Sequence, residues 1–268
     1  VALWWSDALP APLMLPLMVL AAAGFGMVWG GIPGALQAWR GSHVVITTIM
    51  FNFIAAAIMV YMVVNVLKPA GVLAPESAMI AAEGRMPKLG TFIPFFRNTD
   101  VNFTLILALL CLVGVYILIW HTRFGFAMRA LGHNPTASTY AGHSNSRIIM
   151  IVMTMSGALA GMVAVNQVVG VQYRLVLDYV ADAGFVGIAV ALMGRNHPVG
   201  VVLAAVLFGF LYQGGAELGL WTKIPIEMRV VVQGLVILFT GALDMMVRMI
   251  LTWVFSFFRP AGVAKGAA

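Results

Sequence analysis

Apolar runs close to the length of a membrane-crossing helix recur along this chain, and no other feature narrows its fold as far. They lie at about 11–36, 44–66, 102–120, 148–170, 181–194, 198–217 and 228–250. A helix needs about 20 apolar residues to cross the hydrocarbon of a bilayer, where its backbone N–H and C=O groups must be satisfied inside the segment itself. The chain therefore reads as an all-α, polytopic transmembrane helical bundle. The run at 181–194 is too short for a full span and is expected to be a half-helix or re-entrant piece, enclosed by protein or a cavity. Composition agrees, with 62% hydrophobic and 9% charged residues and a mean hydropathy of +1.00. Soluble domains run at about 25% charged.

One stretch breaks the pattern. Residues 121–147, HTRFGFAMRALGHNPTASTYAGHSNSR, are polar and Gly-rich, with Arg123, Arg129, Arg147, three His and no acid. Excess Lys/Arg in a short loop marks the cytoplasmic side. With this loop inside, the inner side also holds Arg40, Arg195, Arg248, Arg259 and Lys265. The outer side holds Arg174, Lys223 and Arg229, plus Lys68, Arg85, Lys88 and Arg97 in the long 67–101 loop, where the rule weakens. Only Asp244 among the acids falls inside; Asp7, Glu76, Glu83, Asp100, Asp178, Asp182, Glu217 and Glu227 fall outside. The net charge of +6 is thus a topological signal. No basic cluster with interleaved aromatics points to nucleic acid.

Within the polar stretch, Phe126 to Leu131 and Thr136 to Ala141 read as two helices broken at Asn134-Pro135, with Gly142 as terminator. The 67–101 segment, with Pro69, Pro75, Pro87 and Pro94 and short apolar pieces such as Phe92 to Phe96, reads as an ordered extracytoplasmic loop with a short helix at 76–83. Residues 1–268 are read as a single integral-membrane domain. Residue 1 falls outside with no visible leader, so an odd number of further spans is expected upstream. Cys111, alone of its kind, excludes an internal disulfide. Gly157-Ala158-Leu159-Ala160-Gly161 is a small-xxx-small pattern, and Gly24, Gly26, Gly30, Gly31 and Gly34 give the first run a smooth face; both suit close helix packing or a face that slides.

Enzyme constellations are missing: the chain has no HExxH, CxxC, GxxxxGK[ST] or GxSxG. His43, His121, His133, His143 and His197 map to the cytoplasmic edge without i, i+4 pairing, which argues against a metal site. An ion-coupled carrier places charged groups within the bilayer, and these runs are nearly free of them. Any energy source for transport is therefore expected in another subunit.

The stretch Arg129-Ala130-Leu131-Gly132-His133-Asn134-Pro135-Thr136-Ala137-Ser138-Thr139-Tyr140-Ala141-Gly142 closely resembles the RAxGxNPxAAxYAG loop of ATP-binding-cassette importer permeases of the branched-chain amino acid, ribose and nucleoside group. Thr47-Thr48-Ile49-Met50-Phe51-Asn52-Phe53-Ile54-Ala55 is similar to STIMLNYIA, and Gly187 to Gly200 to GIAVALLGRNHPxG. With Gln233 to Leu238, the resemblance covers about residues 30–245. The first two motifs lean toward nucleosides and simple sugars over amino acids. Two departures stand out: Gly41-Ser42-His43-Val44-Val45 occupies the place of a Val-Asn-Glu triplet, and Ser138 replaces the second Ala of NPxAA.

The resemblance implies a bacterial inner-membrane permease subunit that imports its solute by alternating access and has no catalytic residue. It implies as partners a separate ABC ATPase that binds ATP and Mg, a second permease copy or homologue, an extracytoplasmic binding protein or lipoprotein, a small-molecule substrate and membrane lipid. In such permeases the cytoplasmic loop forms coupling helices that seat in the ATPase. Carried onto this chain, Arg129, Ala130, Gly132, Asn134, Pro135, Ala137, Tyr140, Ala141 and Gly142 are the coupling residues, with Tyr140 as anchor and Arg129 reaching an acidic rim. For the translocation path the candidates are Thr47, Thr48 and Asn52 on one helical face, Asn166 and Gln167 in the fourth run, and Phe185 as part of an external gate. The polar groups among them either hydrogen-bond a passing solute or bond neighbouring helices. The remaining alternatives are a branched-chain amino acid permease of the same group, an ion-coupled secondary carrier, and a noncatalytic membrane scaffold.

Overall fold

The computed structural model describes residues 10–91, 101–177 and 183–221, together with Leu3, Pro94, Arg97, Thr99, Tyr179, Val180, Met228, 230–236, 238 and 239. The charge assignments to Asp7, Asp100, Asp178, Asp182, Lys223, Glu227, Arg229, Asp244, Arg248, Arg259 and Lys265, the Phe92–Phe96 piece apart from Pro94, and the last run beyond 239 lie outside the described residues. The chain divides into two compact units, 1–181 and 182–268, each described by itself.

Eight α-helices are described: α1 (Ala11–Arg40), α2 (Val44–Tyr61), α3 (Thr104–His121), α4 (Arg123–His133), α5 (Pro135–Tyr140), α6 (Asn145–Ala164), α7 (Ala183–Met193) and α8 (Pro198–Trp221). Two of them continue as π-helix, α2 through Met62–Leu67 and α6 through Val165–Gln172. Five helical stretches are long and apolar enough to cross a membrane: Pro12–Arg40, Val44–Leu67, Thr104–His121, Asn145–Gln172 and Pro198–Gly215. α7, at 11 residues, rises only about 16 Å and matches the half-span expected at 181–194. Residues 228, 230–236, 238 and 239 are helical as well.

In the first unit α1 and α6 run antiparallel in direct backbone contact. A Cβ on Gly26 would overlap the carbonyl oxygen of Gly157, and one on Gly161 would overlap that of Ala22; one on Gly30 would lie 2.8 Å from the Gly157 Cα. Farther along, Gly34 accommodates the Met153 side chain. Helices in lipid gain nothing by hiding apolar surface from water, so close approach and van der Waals contact must hold them together, and small residues permit it. Gly24, on another face, has nothing within 4 Å of its Cβ position. α1 ends where Gly41 adopts a left-handed φ of 66° and its N–H donates to the Gln37 carbonyl.

Residues 76–86 fold against the end of α6. Glu76 pairs antiparallel with Val176, the Ser77 N–H donates to the Leu175 carbonyl at 2.9 Å, and the Ile80 N–H donates to the Tyr173 carbonyl at 2.8 Å. Arg174 meets Glu76 at 2.7 Å, and the Arg85 guanidinium lies over the Tyr173 ring. The helix expected at 76–83 is therefore absent: this backbone is extended and bonds to 173–176, leaving a single 3-10 turn at Ala82–Gly84. This pairing of distant segments buries Ile80 and Met86 with Met14, Met18, Val165 and Val169, an apolar core that outweighs local helix preference.

In the second unit α7 and α8 form a helical hairpin. Arg195 and Asn196 turn the chain with φ of 52° and 55°, and a Cβ on Gly200 would overlap the Gly194 carbonyl oxygen. Ala189, Val190, Ala204 and Phe208 make its core.

Gly157→Leu should force α1 and α6 apart and lower stability by about 2–3 kcal/mol, read as a fall in melting temperature in detergent. Gly24→Leu should leave that temperature nearly unchanged; equal losses in the two variants would refute the backbone seam.

Candidate functional site

The polar stretch between α3 and α6 folds into two short helices held by their own side chains. Thr122 separates α3 from α4: its Oγ1 donates to the Leu118 carbonyl at 2.6 Å and accepts from the Gly125 N–H at 3.0 Å. Gly125 is required there because a Cβ would overlap the carbonyls of Leu118 and Ile119. At the next break Asn134 is extended, with φ of −154°, and its Oδ1 accepts from the Thr136 and Ala137 N–H groups, each at 3.0 Å. Pro135 takes the first helical position, where it sacrifices no hydrogen bond. Gly142 then reverses the chain at φ 83°. From the start of α6, the Asn145 amide donates to the Pro135 carbonyl at 3.1 Å and to Thr139 Oγ1 at 2.9 Å, tying α5 to the membrane-crossing helix.

These constraints decide what is displayed. Gly132, Asn134, Pro135, Ala137, Tyr140, Ala141 and Gly142 are exposed, Tyr140 at 89%, while Ser138 on the opposite face is buried. Ala130 and Arg129 are half-buried. Arg129 lies over the Trp120 ring, 4.6 Å from its centroid, with Nε 3.4 Å from the Gly125 carbonyl oxygen. That cation–π contact folds Arg129 back onto the end of α3 instead of outward. Arg123 and Arg147 are the exposed arginines of this stretch, a display that the order of residues alone did not single out. Residues 101–177 contain no Asp or Glu, so the charged side chains that this stretch contributes are all basic.

The proposed path residues fall into separate settings. Thr47 and Thr48 bond back to their own helix, Thr47 Oγ1 to the His43 carbonyl at 2.9 Å and Thr48 Oγ1 to that of Val44 at 2.9 Å. Asn52 is exposed on α2, a helix with no buried residue. Asn166 is committed to a polar knot: its Oδ1 accepts from Thr104 Oγ1 at 2.7 Å and from the Asn102 amide at 3.3 Å. Asn102 is buried, also receives the Thr104 N–H at 3.2 Å, and fits only because Gly170 has no side chain. Gln167 is half-buried beside it. Phe185 is 71% exposed and belongs to the second unit. Among the described residues no three His, Cys, Asp or Glu side chains converge as metal ligands would.

The helices and their lengths define a multi-pass membrane protein. A family model described as "Branched-chain amino acid transport system / permease component" matches residues 1–241, and the chain belongs to that family. It is 38% identical to the guanosine ABC transporter permease protein NupP of Bacillus subtilis, over 90% of this chain and 69% of that protein. It is 36% identical to the nucleoside ABC transporter permease protein NupB of Lactococcus lactis, over 86% of this chain and 64% of that one. The glucose ABC transporter permease protein TsgB13 of Haloferax volcanii is 32% identical over 87% of this chain, which spans 62% of that relative's length. No solved structure matches.

Ser138 Oγ is buried without a hydrogen-bond partner among the described residues. Removing a buried unpaired hydroxyl relieves a desolvation cost, so Ser138→Ala should be neutral or stabilising by up to about 1 kcal/mol. Thermal unfolding of the two forms checks this; a clear loss of stability would mean that the hydroxyl is bonded.

Proposed function

We propose that this chain is the membrane-spanning subunit of an ATP-driven importer for nucleosides or simple sugars. The observation that carries the reading is the exposed Gly132–Gly142 surface, held rigid by Asn134, Pro135 and Asn145 at the end of α6. Its small residues permit close approach, and exposed Tyr140 offers an aromatic anchor of the kind that dominates interface energy. The partner is an ABC ATPase that holds ATP and Mg; its seat for this surface is acidic, met by Arg123 and Arg147 while Arg129 stiffens the base through Trp120. Because Asn145 begins α6, a push on α5 is transmitted to a helix packed backbone to backbone on α1. Motion of that pair would contribute to alternating access.

The remaining assignments follow from the family and the charge distribution. The protein sits in a bacterial inner membrane with 121–147 in the cytoplasm and 67–101 outside. It works with a second permease, identical or homologous, and an extracytoplasmic binding protein or lipoprotein that supplies the solute. Nucleosides or sugars are preferred over branched-chain amino acids because relatives 32–38% identical over most of the chain are named for guanosine, nucleosides and glucose. Within the five membrane-length stretches the charged or basic residues Arg40, His121 and Arg147 lie near the ends, which argues against ion coupling through those stretches.

Co-purification with a co-expressed ABC ATPase from the same source tests the reading. Gly132→Arg and Ala141→Glu should each reduce recovery of the ATPase at least about tenfold, as loss of a central interface contact does, without changing expression in the membrane. Unchanged recovery, or solute uptake by this polypeptide in the absence of ATP, would overturn it.

A further inference from the structure

We propose that the turn that follows the Val44–Leu67 span, residues 69–75, is an apolar anchor that dips into the lipid at the edge of the same membrane. The span holds no charged residue, and Lys68 follows it directly. A cation in that position marks where hydrocarbon gives way to headgroups. The next seven residues, PAGVLAP, carry no polar side chain, and the first acid, Glu76, comes only where the chain pairs with Val176. Leu73 is 97% exposed, the highest value for a large apolar side chain among the described residues. Ala70, Gly71, Ala74 and Pro75 are exposed around it.

The turn folds back, so its tip stays near that boundary. Gly71 takes a φ of 87°, in the left-handed region that glycine enters freely, and the Val72 N–H donates to the Pro69 carbonyl at 3.5 Å. Lys68 Nζ donates to the Leu73 carbonyl at 3.2 Å, which keeps Leu73 within one lysine side chain of the end of the span. The same bonds suit entry into lipid, where an unsatisfied backbone group is costly. The Pro69 and Leu73 carbonyls are bonded, the Ala74 carbonyl accepts the Glu76 N–H at 2.9 Å, and Pro69 and Pro75 have no N–H to satisfy. The tip is continuous with the apolar surface of the span, where Tyr61, Val64 and Val66 are exposed. By itself it is too small for a protein partner, since a specific protein interface buries on the order of 1,000 Å² or more. A membrane needs only a few apolar side chains set at its surface. The anchor requires the span alone and no ATPase.

Fluorescence of the whole chain in phosphatidylcholine nanodiscs reads the depth of the tip. With Cys111→Ser as background, a nitrobenzoxadiazole label is attached at Leu73→Cys; Tyr140→Cys and Phe53→Cys, labelled alike, are the water-facing and mid-span references. The label at 73 should emit to the blue of the label at 140 and be quenched by phosphatidylcholine that carries a doxyl group near the head of its acyl chain. Aqueous iodide should quench it at least about threefold less than the label at 140, because an ion is excluded from hydrocarbon. A label at Ala74→Cys should behave as the one at 73, and adding Leu73→Asp to it should restore iodide quenching to the level of 140 with the melting temperature unchanged. Iodide quenching at 73 equal to that at 140 would place the tip in water. Protection from iodide without doxyl quenching would mean that protein covers it. Protection that survives Leu73→Asp, or a melting temperature lowered by that change, would mean that neighbouring segments hold the tip as part of the fold. Each of these results overturns the anchor.

Discussion

The first unit depends on one contact, the seam where Ala22, Gly26 and Gly30 of α1 meet Gly157 and Gly161 of α6 backbone to backbone. In lipid there is no solvent penalty to drive two apolar helices together, so a seam of this kind needs side chains small enough to let main chains touch. Several other parts of the unit are attached to the two ends of α6. At one end Asn145 holds α5 through Pro135 and Thr139. At the other, the π-helical extension carries Asn166 into the knot with Asn102 and Thr104, and residues 173–176 pair with 76–80. A displacement of α6 is thus felt at both membrane faces.

The exposed Gly132–Gly142 surface owes its shape to satisfied backbone groups. Helices as short as α4 and α5 are marginal alone, since helix nucleation costs more than a few bonds return. Capping by Thr122 and Asn134, the preset φ of Pro135 and the Asn145 bonds offset that cost, so the exposed residues are presented without ordering on contact. Preorganisation of this kind is what a surface needs if it is to transmit force rather than absorb it. It also explains why Ser138, which departs from the family motif, is accommodated: it lies on the buried side of α5, away from the displayed face.

Much of this was legible in the sequence, and the limits have physical causes. Spans announce themselves because burial in lipid demands long apolar runs, and five runs became membrane-length helices within a few residues of their expected bounds. The break at Asn134-Pro135 and the turn at Gly142 were readable because both are local backbone chemistry. The extended segment at 76–80 was not, since its hydrogen-bond partners lie about 100 residues away and override a helix-compatible sequence. The same reason hid the Asn102–Thr104–Asn166 knot, which uses Asn166 to tie α3 to the end of α6. Arg129 was expected to reach outward; its contact with Trp120 crosses the sharp Thr122–Gly125 turn, and no spacing rule reports a turn of that shape.

The central claim is that Tyr140 and its neighbours face the cytoplasm and are covered there by an ATPase. Cysteine labelling measures this directly: with Cys111→Ser as background and Tyr140→Cys as the probe, cells are treated with a membrane-impermeant maleimide. The account predicts labelling only after the membrane is opened, and protection when the ATPase subunit is present. Labelling of intact cells from outside, or equal labelling of opened membranes with and without the ATPase, would contradict it.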